Sequence, residues 1–219
     1  MDWTRTMDNY CERVDASYWS EPVNAITNAA FLIAAFVVWR MVRDRSDWGT
    51  RALLSVMVAI GIGSYLFHTH ATVWSVFLDV LPIYIYICVY LWLATRRMLG
   101  LNVWIAWAAV LANFAYTPAL ASVIGGITGG MNGSEGYVPT LLLIAGYGLF
   151  LLRAKPETGR GLLIGAGLLA LSLTARTLDE AVCDAVPLGT HWAWHVLNGI
   201  MLGWMVLVLD RHDRRIDKA

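Results

Sequence analysis

The chain has 219 residues, of which 58% are apolar and only 15% charged, and its mean hydropathy is +0.57. A soluble domain carries about 25% charged residues, so an ordinary soluble enzyme is excluded. Sixteen basic residues balance sixteen acidic ones, which removes the basic footprint expected of a nucleic-acid binder.

The apolar residues fall into long blocks, each close to the roughly 20 residues that cross about 30 Å of hydrocarbon. They predict an all-α integral membrane bundle of seven transmembrane helices, near residues 24–42, 52–70, 74–95, 101–119, 137–153, 160–178 and 190–209. An outer acidic segment (1–23) precedes this membrane domain (24–209), and a basic tail (210–219) follows it. The opening MDWTRTMDNYCERVD is polar and lacks a basic-then-apolar leader, so no signal peptide is expected. Thirteen of the sixteen Lys and Arg follow spans one, three, five and seven, among them Arg40, Arg96, Arg153 and Arg211. The other side holds only Arg5, Arg13 and Arg176. The positive-inside rule then places the N-terminus outside and the C-terminus in the cytoplasm, as an odd number of spans requires.

Taken in chain order, the amino-terminal segment comes first. Asp8, Glu12, Asp15 and Glu21 fall within 14 residues, with Asn9 and Asn24 nearby. Such hard oxygen donors suit calcium; a solvated acidic arm is the plainer alternative. Span two ends in GIGSYLFHTH, where Ser64 and His68 are four apart and share a helix face. Without that partner Ser64 reads as a small packing residue beside Gly61 and Gly63. Span three carries Asp79 about 7 Å below its start. Between spans four and five, GGITGGMNGSEG reads as a flexible outer connection, and span six softens at Arg176 and Asp179. Span seven opens with THWAWH, so His191 and His195 stack on one face.

Three spans thus deliver His68, Asp79 and the His191–His195 pair to similar depth on one side. A lone membrane histidine is usually a helix-to-helix hydrogen-bonding residue, but convergence of this kind favours a metal. Three imidazoles leave the fourth position open, as in catalytic zinc sites, although imidazole also suits iron, copper and nickel. His70 reads as an interfacial residue, and His212, in the charged tail, as a solvated one. Cys88 lies within span three as a small hydrophobe. Cys11 and Cys183 both lie outside, where an oxidising compartment permits a disulfide; two free thiols are the alternative. The eleven Trp suit an interfacial belt. No internal repeat, phosphate-binding loop or dinucleotide fingerprint is present.

Three motifs carry a resemblance. YCER followed by SEPVNAITN, then GSYLFHTHATVWSVFLDVLP, then GTHWAWHVLNG together resemble the alkaline ceramidase family, within the superfamily that includes adiponectin-receptor-like proteins. The SEPVNA form is closer to bacterial members. The resemblance implies a seven-span hydrolase cleaving the amide bond of a ceramide-like lipid, in a bacterial inner membrane with its site towards the outer face. It implies zinc at His68, His191 and His195, with Asp79 and Ser64 at the reaction centre. It also implies calcium at the amino-terminal segment, through Asp8, Tyr10, Glu12 and Glu21, and a disulfide joining Cys11 to Cys183. Asn9 and Val14 stand where eukaryotic members have Asp and Asn, and Arg13 adds positive charge among the calcium ligands. The expected partners are the lipid substrate and membrane lipids; no protein partner can be inferred. The rival expectation is a receptor or transporter in which zinc merely holds helices together.

Overall fold

A computed structural model describes residues 2–7 and 9–216. Its helices are α1 (Pro22–Thr27), α2 (Ala29–Val42), α3 (Trp48–His70), α4 (Val73–Leu93), α5 (Val103–Thr128), α6 (Val138–Ala154), α7 (Pro156–Leu178) and α8 (His191–Ile216). The first two run on as one span, Pro22–Val42, so the described residues form seven helical segments long and apolar enough to cross a membrane. Large side chains such as Trp104, Leu111, Ile127 and Phe150 point away from the bundle, each more than 60% exposed. That is the inverse of a soluble surface and suits hydrocarbon as the surrounding medium.

The bundle is organised around α8, which packs on α2, α3 and α7, while α3 also pairs closely with α4 and α6 with α7. Leu53, Met57, Leu162, Met205 and Leu209 are fully buried where these helices meet. Glycine permits the closest approach, between α3 and α4. A Cβ on Gly63 would overlap the Leu78 carbonyl and lie 3.3 Å from the Asp79 Cα. This contact brings the Asp79 level of α4 against the Ser64 level of α3.

Helix ends follow local chemistry. Asp47 caps α3 by accepting from the Thr50 N–H at 2.9 Å, and Asn102 caps α5 by accepting from the Ile105 N–H at 3.0 Å. Helix α3 ends at Ala71 in a left-handed conformation (φ 43°), and the Thr72–Ser75 capping box starts α4 at once. The amino-terminal arm lies along this connection. Met7 donates to the Ala71 carbonyl at 2.7 Å, and Val73 and Trp74 donate to Arg5 and Trp3 at 3.1 Å.

Three expectations need correction. Helix α5 does not stop near 119; it continues to Thr128, through Gly125 and Gly126, and ends at Gly129 in the left-handed region (φ 76°). Residues 210–216 are not a separate tail, because α8 runs on to Ile216. His212 is accordingly not solvated. It is 3% exposed, bonded to the Thr158 hydroxyl at 2.8 Å and facing the Arg97 carbonyl at 3.1 Å.

Candidate metal centre

His68 sits in the last turn of α3, while His191 and His195 occupy the first turns of α8. The three side chains are buried, at 0–1% exposure. Their ring centroids lie 4.6–5.1 Å apart, and one potential ligand atom from each falls within 4.8 Å of the others. His68 Nε2, His191 Nδ1 and His195 Nε2 have no hydrogen-bond partner. Three buried, unsatisfied imidazole nitrogens facing one small volume would be costly in a metal-free interior. The donor set therefore fits one transition metal. Among the described residues this is the one group of His, Cys, Asp or Glu that could hold a metal ion, and it includes no carboxylate.

The outer nitrogens fix the tautomers. His68 Nδ1 lies 2.6 Å from Glu21 Oε2, a carboxylate that can only accept, so Nδ1 carries the proton and Nε2 keeps its lone pair. His195 Nδ1 lies 2.9 Å from the Thr27 hydroxyl, whose own proton goes to the Val23 carbonyl at 2.8 Å. Thr27 then accepts from Nδ1, and the His195 Nε2 lone pair is free in the same way. Both supports come from α1 or its cap, which packs on α3 and α8.

The start of α8 is set by Asp179, a fully buried carboxylate at the end of α7. It accepts from the backbone N–H groups of Cys11 (3.0 Å), Thr190 (2.6 Å) and His191 (2.8 Å). Gly189 is left-handed (φ 64°), and a Cβ there would overlap the Asp179 carboxylate. The Cys11–Cys183 disulfide is present, with the two Cα atoms 5.2 Å apart. Together these contacts tie the amino-terminal arm to the loop that presents His191.

Ser64 lies one turn before His68 on α3, and Asp79 feels the His68 charge; both line an apolar cavity between the helices. The Ser64 hydroxyl is within reach of the Asp79 carboxylate, on which His68 and then Arg176 act electrostatically. Deeper in the bundle the cavity wall is formed by residues such as Ile83, Leu91, Ala94, Leu162 and Met205. From Asp79 to Ala94 the lining follows α4 into its terminal π-turn (Ala94–Met98), a run of about 22 Å at 1.5 Å per residue.

The residues expected around calcium have the following surroundings. Asp8 lies outside the described residues. Tyr10 is 7% exposed and stacks on His191 with centroids 3.7 Å apart, and its hydroxyl accepts from Arg176 at 2.9 Å. Burial pushes its hydroxyl up to about 12, so it stays protonated. Both Glu12 oxygens accept backbone N–H groups, from Val23 at 2.7 Å and Asn24 at 2.8 Å; burial raises its pKa against these bonds. Glu21 accepts from Arg13 at 2.5 Å and from Asn24 Nδ2 at 3.1 Å, besides His68. Burial opposes its ionisation, but His68 and Arg13 outweigh burial and hold it below the usual carboxylate range.

Sequence reasoning missed Thr27, Asp179 and Arg176 as members of this environment. The signal for the last two was available, since charged side chains at a span end usually face the bundle interior for a reason. Arg176 does so against three aromatic faces, those of Tyr10, Tyr137 and Trp194, at 5.3–5.8 Å. Cys88 is half-buried and free, and His70 is exposed near its own helix end.

Set beside known proteins, the chain has no match among curated ones. The sequence pattern of the family described as Ceramidase matches residues 4–217.

Proposed function

The chain belongs to the ceramidase family, and from that premise we propose that it is a zinc-dependent intramembrane amide hydrolase. Its substrate is a ceramide-like N-acyl lipid, released as a free fatty acid and an amino lipid. The observation that carries this reading is the buried three-histidine cluster, with no fourth protein ligand among the described residues, on the same helices as the apolar cavity lined by Ser64 and Asp79. A structural zinc site is closed by four protein ligands, whereas a catalytic one keeps a position open.

His68, His191 and His195 would hold the zinc. When bound, zinc supplies Lewis-acid polarisation of a carbonyl and brings the pKa of a water towards 7. The rest falls to the chain's own side chains. Asp79 accepts a proton from the attacking water and delivers it to the leaving amine, which a carboxylate beside the reaction centre can do in turn as base and acid. The Ser64 hydroxyl is free to rotate from Asp79 to the substrate carbonyl oxygen as negative charge develops there. The acyl chain lies in the apolar cavity, whose run of about 22 Å along α4 suits a long hydrocarbon chain. Burial of the amide in this low-dielectric chamber strengthens each of these contacts.

The basic residues gathered at the opposite ends of the helices support an orientation with this chamber towards the outside of the cell membrane. A disulfide at the chamber end supports the same orientation.

The deciding test is Asp79→Asn. The substitution is nearly isosteric and removes no proposed ligand, so zinc content and thermal midpoint stay at wild-type values. Fatty-acid release from N-acyl lipids falls to a small residue, because an amide cannot take the water's proton. Loss of zinc in this variant would make Asp79 a ligand and favour a structural site in a receptor or transporter. Full hydrolysis with zinc retained would remove Asp79 as the base.

A further inference from the structure

The amino-terminal segment raises a separate question, because its acidic residues already surround a cation. Arg13 is 8% exposed, and its guanidinium makes three contacts in three directions. Nε donates to Glu21 Oε1 at 2.5 Å, Nη1 to the Asp15 carbonyl at 3.0 Å, and Nη2 to the His68 carbonyl at 3.0 Å. The pair is well sheltered, with side-chain exposures of 4% for Arg13 and 1% for Glu21.

Calcium takes 6–8 oxygens at about 2.3–2.6 Å, and the described residues do not offer them. Glu21 spends one oxygen on Arg13 and the other on His68 and Asn24. Both Glu12 oxygens hold backbone N–H groups at the start of α1. The Asn24 amide oxygen is unpartnered, but it is one neutral donor. A dication placed among these groups would also face a guanidinium that does not deprotonate in proteins.

We infer that Arg13 is the resident cation of the amino-terminal segment, standing in place of calcium, and that through Glu21 it positions His68. The guanidinium holds Glu21 Oε1 on the side away from the imidazole, which leaves Oε2 aimed at His68 Nδ1. Its Nη2 holds the His68 backbone at the same time. Side chain and main chain of one ligand are thereby fixed by a single planar fork, a geometry that the point charge of lysine does not reproduce. The segment needs no external cation, and its order does not depend on calcium supply.

The positioning role rests on the proposed metal site, whereas the calcium half does not, so the two fail separately. The experiment uses the full-length protein in detergent, zinc-loaded and treated with a calcium-selective chelator. Calcium titrated by calorimetry into the wild-type protein should give no saturable heat up to millimolar concentration and no shift of the thermal midpoint. Stoichiometric binding with a raised midpoint would overturn the inference.

Zinc release to a colorimetric chelator reads the positioning role without substrate. Loss of an outer partner of a metal-bound histidine costs about 10–100-fold in metal affinity, so Glu21→Gln should release zinc faster by that order. Arg13→Gln should fall in the same range, with the double variant no faster than either single one, and Arg13→Lys should lie between. A folded Arg13→Gln protein that releases zinc at the wild-type rate would end the positioning role. If Arg13→Gln does not fold, Arg13→Lys and the wild-type calcium titration decide. A wild-type protein that takes up no zinc at all refutes the metal reading and the positioning role together, and leaves the calcium titration to decide the rest.

Discussion

At the scale of single residues, the proposed reading separates groups that would hold a metal from groups that would move protons. His68 and His195 are each oriented by an outer partner, Glu21 at 2.6 Å and Thr27 at 2.9 Å. Ser64 and Asp79 have no such duty and face the cavity instead. Ser64→Ala should therefore leave zinc content unchanged and lower the turnover rate by roughly 10²–10³, the usual cost of one oxyanion donor. Most of that loss should appear in kcat, since the contact strengthens as the carbonyl oxygen gains charge. A variant with wild-type kcat would restrict Ser64 to packing against Gly63 and to holding Asp79. The histidines and Asp79 were readable from sequence because ionisable groups within apolar spans are costly and therefore conspicuous. Glu21 was not readable in its actual place. It lies in an acidic stretch outside the spans, where a calcium ligand, a solvated charge and the partner of a histidine look alike.

At the scale of elements, the helices were legible because lipid leaves the backbone no alternative partner. Their ends were less so. Gly125 and Gly126 read as a loop, yet they continue α5 to Thr128, since glycine in a membrane helix costs less than an unsatisfied backbone would. The charged run after Leu209 read as a tail, but α8 buries Asp210 and carries His212 onto the Thr158 hydroxyl of α7.

The end of the bundle opposite the metal centre is tied by one arginine. Arg97 pairs with both Asp47 and Asp213, the latter at 2.7 Å. Burial alone would raise the Asp47 carboxyl, but the Thr50 N–H and Arg97 outweigh it and hold it below the usual carboxylate range. A depressed folded-state value contributes stability that is present above the ordinary carboxyl pKa and lost as pH falls below it. Asp47→Asn keeps an accepting oxygen for the helix cap but loses the ion pair. Its thermal midpoint should lie below wild type at pH 7, and the gap should close as pH falls below the usual carboxylate range. A gap that stays constant with pH would assign the effect to the cap and not to charge.

At the scale of the whole molecule, the two ends differ in chemistry. One end holds the disulfide, the metal centre and the folded amino-terminal arm. The other gathers twelve of the fifteen Lys and Arg among the described residues. Positive charge resists translocation and disulfides persist where thiols are oxidised, so two independent forces favour the orientation proposed above. The arrangement can be read by labelling. Cys11 and Cys183 are joined, and Cys88 lies within the α4 span, so the protein offers little background to a membrane-impermeant maleimide. Ala185→Cys sits in the loop before α8 and Ala154→Cys at the end of α6; both positions are exposed, and neither change alters the charge balance. In spheroplasts the reagent should label the cysteine at 185 and leave the one at 154 unmodified until the membrane is permeabilised. The reverse pattern would place the metal centre on the cytoplasmic side and take the oxidising compartment away from the disulfide. Equal labelling of both before permeabilisation would mean that the bundle inserts in two orientations, and that the charge difference between its ends is too small to choose one.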